Sequence, residues 1–344
     1  MQYRMSQRSA GTLLALLLIL TLVASCNRRP PRSQIDPKVY SKEIEQWRQE
    51  RWKELNSESG WLTLVGLFWL KDGFNKCGSD PSQDIVLPKD KIPSLLAEFY
   101  LERGRIVFQP RDHEIKVDGQ PVETVLREKR GLIISNKPAS TMPKLQNDSL
   151  TMNIEPLIEM KSDAEDKPTL VTYGSLSFQI IKRGDKFAVR VKDSQNPDRL
   201  NFKGTEFYSA DLKWRIDAQF EPYNPPKPMP ITNVLGMESA ESSPGALKFE
   251  IDGREYRLDA VTEKNEPRLF MIFADKTSGK DTYPAGRYLY VDPPDASGHL
   301  IIDFNKAYSP PCAFTKFATC PLPPRQNRLP AAIEAGERYR PHPN

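Results

Sequence analysis

Residues 247–258 read LKFEIDGREYRL. Asp252-Gly253 is a favoured two-residue hairpin turn, because type I′ geometry needs positive φ at both central positions. Folding the stretch about that turn sets Phe249 opposite Tyr256 and Leu247 opposite Leu258, so the apolar side chains coincide on one face and fix the register. Upstream, Trp214, Ile216, Ala218 and Phe220 alternate with Lys213, Arg215, Asp217 and Gln219, the pattern of a strand with one face buried and one wet. Leu176, Phe178 and Ile180 repeat it, and Gly184-Asp185 turns the chain into Phe187, Val189 and Val191. Residues 268–275, 286–292 and 298–305 read as three further strands, and 106–108 and 132–134 as short ones. Asp118-Gly119 offers a second hairpin turn that brings Ile115 to face Val122. Few helices and many short strands predict a mainly β fold, an antiparallel meander forming a sandwich or barrel.

The first half adds two elements. Asp36-Pro37 is a helix start, a capping side chain followed by proline, and Tyr40, Ile44, Trp47 and Leu55 give an amphipathic helix that Gly60 stops. Trp61–Leu70, WLTLVGLFWL, is too short to cross a bilayer and reads as a strand buried on both faces, with a Trp-lined ligand wall as the functional alternative. The expected domain spans 36–344, with a sub-boundary or a long surface loop at the hydrophilic stretch 161–168.

Residues 1–25 have the features of an export signal: Arg4 and Arg8, then an apolar run from Leu13 to Val23. That run is about half the ~20 residues a spanning helix needs. Val23-Ala24-Ser25-Cys26 resembles a bacterial lipobox, which makes Cys26 the lipidated mature N-terminus, and residues 26–35 a flexible tether. Asn27 in place of aspartate favours the outer membrane, facing the periplasm. Lys and Arg total 49 against 45 Asp and Glu, a net charge of +4, too even to imply nucleic acid.

The C-terminal segment 303–337, DFNKAYSPPCAFTKFATCPLPPRQNRLPAAIEAGE, carries prolines at 310, 311, 321, 323, 324 and 330. They exclude a continuous helix or central strand, while Phe304, Tyr308, Phe314 and Phe317 exclude a disordered tail. The segment is expected to lie across the rest of the protein as an ordered strap. Along the preceding strand the two-residue period places His299, Ile301, Asp303 and Asn305 on one face. Asp303 and Asn305 suit a polar ligand, or a turn in which both bond nearby backbone. Asp275 shares its face with Leu269, Met271 and Phe273 and needs a partner if buried. Arg287 and Arg190 are the candidates, either as structural ion pairs or as an anion pocket.

Cys312 and Cys320 bracket seven residues, and an oxidising envelope makes a disulfide across that loop the first expectation, contributing about 2–3 kcal/mol. Cys77 is left over as a buried reduced thiol. His113, His299 and His342 lack ligand spacing to the cysteines, so no metal is expected, and no cofactor fingerprint or familiar hydrolase motif is present.

At these residues the chain resembles the family catalogued as domain of unknown function 1684, from bacteria and archaea. The likeness runs from about Trp47 to Glu337. It rests on Gly60-Trp61-Leu62, Gly66-Leu67 and Trp69-Leu70; on Arg190 and Asp193; on Phe273-Ala274-Asp275 with Thr277; and on Thr282-Tyr283 and Gly286-Arg287. Most specific are Asp303-Phe304-Asn305, Pro311-Cys312-Ala313, Cys320-Pro321-Leu322-Pro323, Asn327-Arg328-Leu329 and Ala335-Gly336-Glu337. Ser309 stands where the family commonly has asparagine and Cys77 where an aromatic is common, so the resemblance gives neither a role. It implies no activity. It also implies relatives without export signals that keep the cysteine pair, which leaves a reduced, buried or ligand-contacting pair open beside the disulfide.

The expected function is that of a lipid-anchored envelope protein binding a small-molecule or glycan ligand. Arg190, Asp275, Arg287, Asp303 and Asn305 would line the site, and the Cys312–Cys320 loop would cover it. The alternatives are a hydrolase with Asp303 or His299 as general base and a structural or adaptor lipoprotein.

Overall fold

A computed structural model describes residues 35–135 and 157–340, with no side-chain description for 129–135. The export signal, Cys26, most of the tether and His342 lie outside the described residues. The chain divides into two units at Glu43/Ile44, within the helix Pro37–Leu55, and every sheet belongs to the second. Asp36 caps that helix as expected, its carboxylate accepting the Lys38 N–H at 2.8 Å. No described helix is long and apolar enough to cross a membrane.

The fold is mainly β, as the alternating pattern implies, with antiparallel sheets that include a half-barrel. The first half of the second unit pairs two sheets over one core. A six-stranded sheet runs in the order Leu64–Trp69, Lys186–Asp193, Leu176–Arg183, Leu170–Tyr173, Lys116–Val117, Gln120–Pro121. A five-stranded sheet contains Gly73–Gly78, Ala97–Glu102 and Arg105–Pro110. Phe99 and Phe108 from the second meet Phe178, Ile180, Val189 and Val191 from the first.

The other half joins a four-stranded sheet (Arg254–Asp259, Glu238–Ile251, Arg215–Thr232, His299–Asp303) to a three-stranded one (Val261–Glu263, Glu266–Phe273, Arg287–Val291). The hairpin register is the expected one: Phe249 pairs with Tyr256 and Leu247 with Leu258. The Val122 N–H likewise donates to the Ile115 carbonyl at 2.9 Å across the Asp118-Gly119 turn.

Two expectations are corrected. Residues 132–134 lie in the helix Val122–Ser135, not in a strand. The run before them, VETVLREKR, spaces Val122, Val125 and Leu126 at helical intervals among good helix formers, and that outweighs three apolar residues in a row. Trp61–Leu70 opens as a 3-10 turn, Trp61–Thr63, and its strand Leu64–Trp69 is only partly buried, with Trp69 exposed.

The C-terminal strap is part of the core. Phe304, Ala307, Leu329, Ile333 and Ala335 pack with Leu247, Phe249, Met271 and Phe273 on one side of the three-stranded sheet. Ala318 and Cys320 pack with Phe270, Ile272 and Tyr288 on the other, where Trp61 also contributes. The prolines do not prevent order, because the polar groups of the strap find partners one at a time. Asn327, fully buried, donates to the carbonyls of Asp259 (2.9 Å) and Ile272 (3.0 Å) and accepts the Asp259 N–H at 2.8 Å. Gly336 holds φ +76°, and a Cβ there would stand 2.3 Å from the Ala307 carbonyl oxygen. Gly336→Ala is therefore expected to cost roughly 2–4 kcal/mol of stability in urea unfolding, from backbone strain and overpacking together; a midpoint unchanged from wild type contradicts the placement.

Candidate functional site

Asp275 follows the strand Glu266–Phe273 and Arg287 begins its partner Arg287–Val291, which registers Phe273 against Arg287. The two side chains form an ion pair at 3.2 Å with no solvent exposure. Arg287 also donates to the carbonyls of Ile333 (2.9 Å) and Ala335, and Asp275 accepts the Ile333 N–H at 2.7 Å and the Thr277 hydroxyl at 2.9 Å. Burial pulls the guanidinium below its ordinary value, and Asp275 opposes that pull. The pair is thus a clasp on residues 333–335 of the strap.

A second clasp, which the sequence did not suggest, joins Arg51 of the helix to Glu337. Arg51 Nε donates to the Glu337 carboxylate at 3.1 Å and Arg51 Nη2 to the Ser309 carbonyl at 3.0 Å, while Glu337 accepts the Ser309 N–H at 2.7 Å. The Arg51 guanidinium lies over the Tyr308 ring at 4.4 Å. Asp303 and Asn305 also act locally. The Asp303 carboxylate accepts the Asn305 backbone N–H and its side-chain amide, both at 3.1 Å. Asn305 in turn accepts the Asp211 N–H at 3.0 Å and donates to the Asp211 carbonyl at 2.9 Å.

Arg190 stands apart from these four. It lies on Lys186–Asp193, beside Leu67 on one side and Gln179 on the other. Val189 and Val191 face the first core, so Arg190 faces away from it. That face is covered rather than wet: Arg183 Nε donates to Thr319 of the strap at 3.0 Å, and Arg190 is 7% exposed. Its Nε and Nη2 are buried without an acceptor. The guanidinium lies 5.3 Å from the Trp61 ring centre, and Lys192 Nζ lies 5.9 Å from the same ring. Burial first, then Arg183, push Arg190 down to about 10. Alternation alone assigns Arg190 to solvent; Trp61 lies against it and the strap is tied to the same face at Arg183, and no local pattern encodes that.

Cys312 and Cys320 adjoin this region. The expected disulfide is not formed, and both thiols are free. The Cys320 sulfur instead accepts the Cys312 N–H at 3.1 Å. Cys77 is buried and free as expected, its thiol pushed up to about 12 by burial. His299 is half-buried, with Nε2 2.9 Å from Asp217 and Nδ1 4.0 Å from Asp295. Among the described residues no group of three or more His, Cys, Asp or Glu could hold a metal ion. The clasp is tested by Asp275→Ala, expected to lose about 3–5 kcal/mol in urea unfolding because it strands a buried guanidinium. Adding Arg287→Met should recover part of that loss; a double variant less stable than the single one contradicts the assignment.

Residues 200–338 match the family model described as Protein of unknown function (DUF1684). Among solved structures, the chain is similar to an uncharacterized protein of Haloarcula marismortui determined by solution NMR. Identity is 32% over 41% of this chain and 78% of that one, with a TM-score of 0.35. No curated protein matches the chain. The chain therefore belongs, through residues 200–338, to the DUF1684 family.

Proposed function

We propose that the protein is lipid-anchored at the outer membrane through Cys26, and that its folded body binds an anionic polar ligand at Arg190. The observation that carries the reading is the pair of unpartnered donors, Nε and Nη2, on a side chain 7% exposed. These two atoms form one edge of the guanidinium, spaced to receive two oxygens of a carboxylate or phosphate. A charge buried without a partner is costly, and an arriving anion removes that cost. Trp61 backs the cation, and Lys192 adds positive charge from the same strand. The strap loop 312–320 covers the site, while Asp275, Arg287, Asp303 and Asn305 hold the strap in place. The ligand class is a small carboxylate or phosphate, free or carried on a glycan.

Isothermal titration of the protein with inorganic phosphate and with succinate tests the site. At least one is expected to bind, and Arg190→Met should weaken it ~10- to 100-fold, the value of a lost charge-assisted contact. The same variant should be as stable as wild type without anion, or more so by about 1–3 kcal/mol, since it removes orphaned donors. Anion affinity unchanged in Arg190→Met refutes the proposal. The anchor is tested separately: Cys26→Ser should abolish palmitate incorporation and move the protein from the membrane to the soluble fraction of a two-membrane bacterium. Retention at the membrane contradicts it.

A further inference from the structure

The strap places two thiols together with unequal surroundings. Cys320 is 4% exposed, whereas Cys312 is only partly buried. The Cys320 backbone is fixed from outside the loop: its carbonyl accepts the Val234 N–H at 2.9 Å, and the next-but-one N–H, of Leu322, donates to Thr232 at 2.8 Å. Tyr288, whose hydroxyl donates to the Pro321 carbonyl at 2.8 Å, closes over that end. Cys312 sits on the opposite limb, in the 3-10 turn Pro311–Ala313, with the Tyr283 hydroxyl donating to its carbonyl at 2.9 Å. The residues between them, 313–319, lie in no strand, and the Cys320 sulfur already accepts the Cys312 N–H at 3.1 Å.

We propose that Cys312 and Cys320 are a redox-active dithiol that exchanges with small disulfides, Cys312 attacking and Cys320 resolving. Contact with the Cys320 thiol, opposed by burial and aided by the Tyr283 hydroxyl, holds the Cys312 thiol below its ordinary value, while Cys320 is raised. The thiolate is the attacking species. Cys312 attacks one sulfur of the disulfide, forms a mixed disulfide and releases the other half as a thiolate. Cys320 then attacks the Cys312 sulfur, the mixed bond breaks, and the second half leaves. Two protein thiols are oxidised by two electrons, one small disulfide is reduced to two thiols, and the two cysteine protons end on the leaving groups. Cys77, 1% exposed with its thiol pushed up to about 12, is an internal inert reference. This inference does not depend on the anion site.

The test equilibrates the full chain in mixtures of oxidised and reduced glutathione, quenches with acid, alkylates, and maps peptides so that the pair is resolved from Cys26 and Cys77. Cys312 and Cys320 are expected to oxidise together in one reversible transition while Cys77 stays reduced. The first glutathione adduct should appear on Cys312 at least about tenfold faster than any on Cys77. In Cys320→Ser the mixed disulfide on Cys312 should accumulate. The wild-type kinetics stand without any variant: a first adduct on Cys320, thiols that stay reduced throughout the series, or a bridge that reduced glutathione does not reopen each overturns the proposal.

Discussion

A guanidinium with no solvent exposure, bonded at once to a carboxylate and to two carbonyls of the C-terminal strap, is the constraint on which the rest of this molecule depends. Burying Arg287 is expensive unless its donors are met, and residues 333–335 supply two of the acceptors. The strap therefore cannot leave without taking two acceptors from a buried guanidinium. Glu337 repeats the logic in mirror image: a fully buried carboxylate is met by Arg51 and by the Ser309 N–H. Between these two clasps the apolar side chains of the strap complete the core.

Covering a sheet face has a chemical consequence. The strand Lys186–Asp193 alternates as a half-wet strand does, with Val189 and Val191 inward. Once Thr319 is tied to Arg183 over the outward face, Arg190 is enclosed with donors that nothing in the protein answers. A clasped strap and an unanswered cation are thus two results of one packing decision. The same decision brings Cys312 beside Cys320 and sets Tyr283 and Tyr288 on either flank.

Much of the fold was legible because period-two alternation and the Asp-Gly turns are local signals. The 247–258 hairpin, the 176–191 meander and the capped helix at Asp36 each follow from residues within a few positions of one another. The pairing of Asp275 with Arg287 was also within reach, since a carboxylate on an apolar face needs a counter-charge. What sequence could not supply was which faces the strap would cover. Arg51–Glu337 spans most of the chain and has no local marker. The helix Val122–Ser135 was hidden by a short apolar run whose upstream residues carry the helical signal. The polar pairs at the strand ends were visible as candidates, but their partners, backbone groups of residues 211, 333 and 335, are set by tertiary packing.

Native-state amide hydrogen exchange reports directly whether the strap opens with the core or separately from it. If the strap is part of the core, the N–H groups of Leu329, Ile333 and Glu337, bonded at 2.8, 2.7 and 2.8 Å to Ala274, Asp275 and Ala307, should be as protected as those of the 247–258 hairpin and open only with it. Exchange of these amides at free-peptide rates while the hairpin stays protected would mean that the strap is a loose appendage and not part of the core.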